Sequence, residues 1–203
     1  MARQMRAEQQ SATKEKLIAA ASEAFATYGY TGAKVELIAE RAGYSKGAFY
    51  SNFSSKEEVA LLVLERLLAD DGWGVSEILR THTADTDTLF RRLAEDFAVR
   101  HANQPVRALR LELLMHAWRD ARFRVAAAEL YKQRRARYAE LVILGFSLIG
   151  KLPGDDAMAI ADTLLAVDHG HSALVLAGTE PTRIEEVVLL LLRGLAFRYP
   201  PAV

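Results

Sequence analysis

The chain has 203 residues, of which 51% are hydrophobic and 26% are charged. This balance excludes a disordered or low-complexity chain and predicts one large globular domain or two small ones. The absence of cysteine excludes disulfides, thiolate metal centres and a cysteine nucleophile. The charges cancel, with 26 basic and 26 acidic residues, but residues 1–56 carry eight Lys and Arg against five Glu. That mild basic bias is consistent with a DNA-facing end and does not establish one.

The sequence gives no sign of a leader or a membrane span. The first ten residues are polar, and the longest apolar run covers residues 141–150. A membrane-spanning helix needs about 20 apolar residues. We therefore expect no secretory signal, no membrane segment and a cytoplasmic location.

Apolar residues recur at spacings of three and four along most of the sequence, which predicts an all-α fold of about nine helices. The first helix is predicted to end at Gly29, and residues 1–11 to form a disordered tail before it. Two short helices follow, at about 34–42 and 46–53, with Ser45 as the N-cap of the second one.

Later helix boundaries are also visible. A fourth, long helix is expected to open with a capping box formed by Ser55 and Glu58. Asp120 is predicted to cap the helix that follows it, and Thr182 with Glu185 to form a second capping box. Breaks between helices are expected at polar or Gly- and Pro-containing segments, at 81–87, 103–105, 150–155 and 178–181.

The first three helices and the glycine turn between the second and third fit a helix-turn-helix. Gly43 tolerates the positive φ that the turn requires, and Ala39 is small enough for the two helices to cross closely. Phe49 and Phe53, four residues apart, would anchor the inner face of the third helix. An ordinary helical hairpin in an all-α core fits the same spacing, so the spacing alone leaves both interpretations open.

Residues 29–58 resemble the DNA-binding domain of the TetR family of bacterial transcriptional regulators. The matching features are Phe25, Gly29-Tyr30, Ile38-Ala39, Ala42-Gly43, Ser45, Tyr50, Phe53 and Ser55-Lys56-Glu57-Glu58. The resemblance implies an N-terminal helix-turn-helix DNA-binding domain at residues 1–56. It further implies a C-terminal helical ligand-binding and dimerisation domain at residues 57–203.

The resemblance also implies roles for individual residues. Tyr50 and Lys56 stand where family members contact backbone phosphates, and the positions on the third helix face the groove. Lys34 replaces the Ser or Thr usual at the start of the second helix, and Asn52 stands where His is frequent. These two departures leave the target sequence open. The DNA-binding residues implied are Lys34, Ser45, Lys46, Gly47, Ala48, Tyr50, Ser51, Asn52 and Lys56.

The helices near 155–177 and 182–198 are the most apolar of the C-terminal part. Residues 187–192 are apolar around the whole helix circumference, which predicts burial on more than one side. The resemblance implies that these two helices form a four-helix interface in a homodimer. Two recognition helices would then read a palindromic operator in double-stranded DNA. A central helix in a monomer is the alternative.

The resemblance further implies a pocket for a small-molecule effector among the middle helices. The candidate pocket residues are Phe97, His101, His116, Trp118, Tyr138, His169 and His171, accompanied by Trp73, Leu113 and Tyr131. Each of them also fits an ordinary core or surface position. His169 and His171 point to different faces of a helix, and neither a metal site nor a cofactor is predicted.

The sequence contains no Gly-rich phosphate loop, Gly-x-Ser-x-Gly elbow or His-Glu-x-x-His motif, so an enzyme is not predicted. We expect a ligand-responsive transcriptional regulator, released as a repressor from its operator by a small molecule. An activator and a ligand-independent regulator remain alternatives within this class. A helical small-molecule-binding or scaffolding protein without specific DNA recognition is the alternative outside it.

Overall fold

The computed structural model describes residues 2–69, 73–81 and 85–199. These residues form ten α-helices, one short 3-10 helix and no strand, which confirms the all-α prediction. The middle of the predicted 81–87 loop lies outside the described residues. The helices are α1 (Ala2–Gly32), α2 (Val35–Arg41), α3 (Lys46–Asn52), α4 (Lys56–Ala69), α5 (Trp73–Arg80), α6 (Thr86–His101), α7 (Gln104–Arg119), α8 (Ala121–Leu148), α9 (Ala157–Leu176) and α10 (Ile184–Arg198).

The helices divide into two compact units. The first contains the chain up to Leu67 together with Ala108–Leu130, and the second contains Leu68–Arg107 and Tyr131–Val203. This division differs from the predicted boundary between residues 56 and 57. The first unit keeps nearly all of α4 and gains a later segment, whose aromatic side chains pack against the turn between α1 and α2.

Helix α1 extends beyond the predicted helix at both ends, but its regular part stops at Gly29 as predicted. The tail predicted to be disordered is helical from residue 2, because residues 2–11 are mostly good helix formers uninterrupted by Gly or Pro. Gly29 interrupts the regular helix with φ 72° and ψ 163°, a conformation open essentially to glycine alone. The backbone N–H of Ala33 donates to the carbonyl of Gly29 at 3.1 Å, which closes the turn.

Helices α1, α2 and α3 pack against one another around a small apolar core. Ala39 and Phe49 are fully buried and Phe53 is nearly so, as the helix-turn-helix prediction requires. Gly43 has φ +77°, and the N–H of Tyr44 donates to the Ala39 carbonyl at 2.8 Å. The predicted turn between α2 and α3 is therefore confirmed.

Three of the predicted caps form, one of them in altered form. The hydroxyl of Ser45 accepts from the N–H of Ala48 at 3.2 Å, and Asp120 caps α8 by accepting from the N–H of Phe123 at 2.8 Å. Ser55 accepts from the N–H of Glu58 at 3.2 Å, so the forward half of that capping box is confirmed. The return half is shifted by one residue, because Glu58 accepts from the backbone N–H of Ser54 rather than from that of Ser55.

The carboxylate of Glu58 accepts hydrogen bonds from the hydroxyl and the backbone N–H of Ser54, both at 2.7 Å. These bonds lower the pKa of Glu58. The second predicted box, Thr182 with Glu185, is wrong. Helix α10 begins one residue later, after Arg183, which makes no side-chain cap and instead forms an ion pair with Glu185.

The core of the second unit lies between α6 and α10. Its buried residues are Leu79, Leu89, Phe90, Ala94, Phe97, Ile184, Val188, Leu192 and Ala196. In the described ranges, no helix is both long and apolar enough to cross a membrane.

A buried polar cluster joins α6, α8 and α9 inside the second unit. Asp168 is 3% exposed, and its carboxylate contacts Arg134 Nη2 at 2.9 Å and His101 Nε2 at 3.0 Å. The hydroxyl of Ser172 lies 3.3 Å from the same histidine nitrogen, and the ring of Phe97 stacks on His101 with centroids 4.8 Å apart. Charged groups at this depth are tolerated only with close partners.

Candidate nucleic-acid interface and ligand cavity

Helix α3 buries one aromatic face and exposes small and polar side chains. Phe49 packs inward, while the neighbouring Tyr50 is 50% exposed and meets the Phe49 ring edge-on at 5.4 Å. Gly47 and Ser51 are also exposed. A short helix of this shape lets its backbone come close to a groove, and the Tyr50 hydroxyl is open to a phosphate.

The N-terminal ends of α2 and α3 carry an ion pair. Lys46 Nζ lies 2.6 Å from Glu36 Oε1, and both side chains are more than half exposed. The hydrogen bond from Lys46 lowers the pKa of Glu36, and the bond to Glu36 raises the pKa of Lys46. Lys34 is the N-cap residue of α2 and is exposed, but its side chain makes no capping bond.

Two of the predicted groove-facing side chains bond back to their own helix. The Ser51 hydroxyl and the Asn52 amide each donate to the carbonyl of Ala48 at 2.8 Å. Asn52 Oδ1 is buried and has no hydrogen-bond partner within the described part of the chain. A bidentate contact of Asn52 with adenine therefore requires a different rotamer from the one seen here.

Lys56 supports the turn between α1 and α2. Its ammonium donates to the carbonyls of Tyr30 at 2.9 Å and Ala33 at 3.2 Å. It also lies 4.5 Å from the centre of the Tyr30 ring, a cation–π contact. The predicted phosphate contact of Lys56 stays a prediction, and the structure adds an internal role for the same side chain.

Tyr30 and its neighbours connect this turn to the α7–α8 segment of the same unit. The Tyr30 hydroxyl donates to Glu57 at 3.2 Å, and burial followed by the nearby Glu57 charge raises the pKa of Tyr30 well above its usual value. The ring of His116 lies 4.5 Å from the Tyr30 ring, and Phe123 packs beside both. Glu112 accepts from the backbone N–H of Thr31 at 3.3 Å.

The segment that forms this arrangement, residues 17–63, matches the sequence model described as bacterial regulatory proteins, tetR family. The match covers most of α1, all of α2 and α3, and the first half of α4. Residues 17–63, called the TetR-type domain, are therefore similar to bacterial regulatory proteins of the tetR family. They contain every residue that carries the resemblance in the sequence, from Phe25 to Glu58.

Two curated relatives each match just under half of this chain. The HTH-type transcriptional activator FasR of Mycolicibacterium smegmatis is 41% identical over 96 residues, which is 46% of this chain and 43% of FasR. The HTH-type transcriptional repressor NicS of Pseudomonas putida is 32% identical over 100 residues, 48% of this chain and 47% of NicS. Each match spans less than half of the relative's length.

The whole fold resembles solved regulators at low identity. The structure of the transcriptional regulator FadR from Bacillus subtilis, in complex with stearoyl-CoA, matches with a TM-score of 0.67. The match covers 90% of this chain and 97% of FadR at 18% identity. At this identity, the likeness shows the fold alone.

The second unit contains an apolar cavity that is partly open to solvent. Arg100 is the one charged side chain in its lining, and it forms an ion pair with Asp96, whose pKa is raised by burial. The lining residues are Val75, Leu79, Leu93, Phe97, Arg100, Tyr138, Leu141, Val142, Gly145, Leu164, Val188 and Leu192.

Only some of the predicted pocket residues line this cavity. Phe97 and Tyr138 line this cavity. His101 lies in the buried polar cluster, and burial lowers the pKa of the nearby His171, which bonds to the Thr182 carbonyl at 3.1 Å. His169 bonds to the Leu165 carbonyl of its own helix at 2.7 Å.

The remaining pocket candidates do not lie with this cavity. His116 and Trp118 belong to the first unit, where His116 packs on Tyr30 and Trp118 is 70% exposed. The side chain of Trp73 lies outside the described residues. Across the described ranges, no group of three or more His, Asp or Glu side chains is placed to hold a metal ion.

Sequence reasoning missed three functional features. Most of the cavity lining is aliphatic, and such residues carry no signal that separates a cavity wall from a filled core. Glu36 and Glu112 act across helix pairs, and no spacing rule along the chain predicts such partners. For Glu36, the available sequence signal is its place in the first turn of α2, the helix that precedes α3.

Proposed function

We propose that the chain is a ligand-responsive, DNA-binding transcriptional regulator that acts as a repressor on a palindromic operator. The observation that carries this proposal is the Ser45-capped α3, which buries Phe49 and presents Tyr50 and Ser51 outward within a TetR-type domain. The named relatives FasR and NicS are transcriptional regulators, which supports a regulatory rather than a catalytic role.

We also propose that α9 and α10 pair two copies of the chain. The surface of α10 exposes Leu190 at 75% and Phe197 at 93%, and Leu174 on α9 is half exposed. Gly170 and Gly194 lie in the middle of these helices with open space around them. Glycine inside a helix lowers helix stability by about 1 kcal/mol relative to alanine. The close approach of a helix from a second copy would explain why glycine stands at these two positions. A second copy would cover the exposed apolar side chains.

The Leu190→Glu variant is expected to convert the dimer into a monomer, because a carboxylate would be buried in the interface without a partner. Sedimentation velocity at a fixed micromolar concentration measures the change. Val125→Glu is the matched control, since Val125 on α8 is 74% exposed and should leave the dimer intact. A monomeric unmodified protein at that concentration would contradict the proposed interface.

The effector that we propose is an elongated apolar molecule held in the cavity of the second unit. The lining is apolar apart from Arg100, which favours a hydrocarbon chain with an anionic or strongly polar end near that cation. The pairing of Arg100 with Asp96 can be exchanged for a ligand, because burial raises the pKa of Asp96 and disfavours its charged form. Stearoyl-CoA, present in the FadR complex, is the first compound to test.

The experiment that tests the function selects bound duplexes from a random DNA pool with the full chain at one moderate salt concentration. A palindrome should be enriched, and stearoyl-CoA should release it. Tyr50→Phe should weaken binding to all duplexes to a similar degree, because a phosphate contact positions the protein without reading bases. Tyr28→Phe, a half-exposed tyrosine on α1, is the control.

Unfolding and refolding the protein removes a co-purified ligand. If no duplex is enriched either before or after this treatment, the proposal is contradicted. Tight ligand binding in that case would favour the alternative, a helical small-molecule-binding protein without specific DNA recognition.

A further inference from the structure

Helix α3 has one charged residue, and that residue is already paired. Its sequence is Lys-Gly-Ala-Phe-Tyr-Ser-Asn, and Lys46 at its start lies 2.6 Å from Glu36 on α2. The side chains are 56% and 57% exposed. Glu36 therefore neutralises the formal positive charge of α3. In the proposed function, this face of α3 lies against DNA.

The pair contributes little to the stability of the fold. Exposed ion pairs gain little because water screens the attraction and both side chains lose freedom. Glu36 has its pKa lowered mainly by the hydrogen bond from Lys46, so it stays ionised near neutral pH. Glu36 lies in the first turn of α2, where the helix dipole favours a carboxylate, but on the proposed DNA-binding face the same charge repels DNA phosphates.

We propose that Glu36 is a specificity-determining residue, which withholds Lys46 from phosphates on nonspecific DNA and leaves it able to contact bases in the operator. This inference rests on the proposed DNA-binding function. An ammonium carries three donors, so Lys46 can keep its bond to Glu36 while a second donor reaches the O6 or N7 acceptor of a guanine. If Lys46 moved to a phosphate, its ion pair with Glu36 would break, and the Glu36 carboxylate would face the negatively charged DNA backbone.

Salt dependence separates these two kinds of contact. Each phosphate contact adds about 0.9 to the slope of log affinity against log salt concentration, because it releases a condensed counterion. A lysine held on a carboxylate adds less, since it brings no net charge to the DNA. Glu36 should therefore reduce nonspecific binding more than operator binding, and so raise the ratio between the two affinities.

The test compares Glu36→Gln with the unmodified full chain by fluorescence anisotropy. The probes are the duplex enriched in the selection and a scrambled duplex of the same length and composition. Between 50 and 200 mM salt, the affinity of the variant for the scrambled duplex should fall about twelvefold more than that of the unmodified chain, the effect of one added phosphate contact in each of the two protomers. At low salt, the ratio of operator to scrambled affinity should be smaller for the variant.

Two control variants isolate the role of the pair. Glu40→Gln removes another exposed carboxylate from α2 and should change both affinities equally. In a Lys46→Gln background, Glu36→Gln should no longer change the slope for the scrambled duplex. The inference is overturned if Glu36→Gln leaves the ratio of operator to scrambled affinity unchanged, or if its effect on the salt slope persists without Lys46. In both cases the proposed DNA-binding function still stands. If the unmodified chain prefers no duplex, both the proposed function and this inference are overturned.

Discussion

The Asp168→Ala variant is expected to lose about 3–5 kcal/mol of unfolding free energy, the cost of leaving a buried charge without its partner. Arg134 is 1% exposed and lies 2.9 Å from the Asp168 carboxylate, and His101 is 5% exposed at 3.0 Å. Removing the carboxylate leaves the guanidinium in a medium where its charge is poorly solvated. Urea denaturation followed by circular dichroism measures the loss.

A second ion pair between the same two helices provides the control. Arg135 on α8 lies 2.5 Å from Asp162 on α9, but these side chains are 47% and 46% exposed. Asp162→Ala should cost about 0–1 kcal/mol, as exposed pairs do. Equal losses in the two variants would show that burial does not set the contribution of the Asp168 cluster.

The Gly29→Ala variant should destabilise the first unit through both backbone strain and a steric contact. Gly29 has φ 72° and ψ 163°, where a side chain is strained by about 1–3 kcal/mol. The added Cβ would also lie 3.0 Å from Oε2 and 3.1 Å from Oε1 of Glu112, so that carboxylate must move away from the N–H of Thr31. We expect the unfolding free energy to fall, and the affinity for the selected duplex with it.

Gly43→Ala is the matched variant for this prediction. Gly43 has a comparable φ of +77°, but no heavy atom of the described chain lies within 4 Å of its added Cβ. Its loss should be limited to backbone strain of about 1–2 kcal/mol. If thermal unfolding shows Gly43→Ala to be the worse of the two, the contact between the turn and Glu112 has no energetic role.

The fold could be predicted where one residue has one dominant preference. Gly29 and Gly43 end helices because of their positive φ, and Ser45 and Asp120 cap helices because their oxygens reach the next turn. The second capping box failed because Glu185 had a competing partner in Arg183. Local motifs predict well only when no neighbouring charge competes for the same side chain.

The candidate site was predictable only in part, for a related reason. The TetR resemblance placed Tyr50 on an exposed face of α3, where the structure has it. It gave no warning that Lys46 and Lys56 already have partners inside the unit. Residue type makes His116 a candidate pocket residue, whereas its neighbours Tyr30 and Phe123 place it in the first unit. Contacts between helices decide these roles, and they are not encoded in spacing.

The contact of Glu112 and His116 with the turn after α1 also has a consequence for the order of events during synthesis. Thr31 and Glu112 are separated by 81 positions in the chain. Translation adds about 5–20 residues each second, so the turn leaves the ribosome several seconds before its partners exist. During that interval, the nascent helix-turn-helix has its three helices but lacks the ring of His116 over Tyr30. The helix-turn-helix of this protein is therefore completed late, although its own sequence is made first.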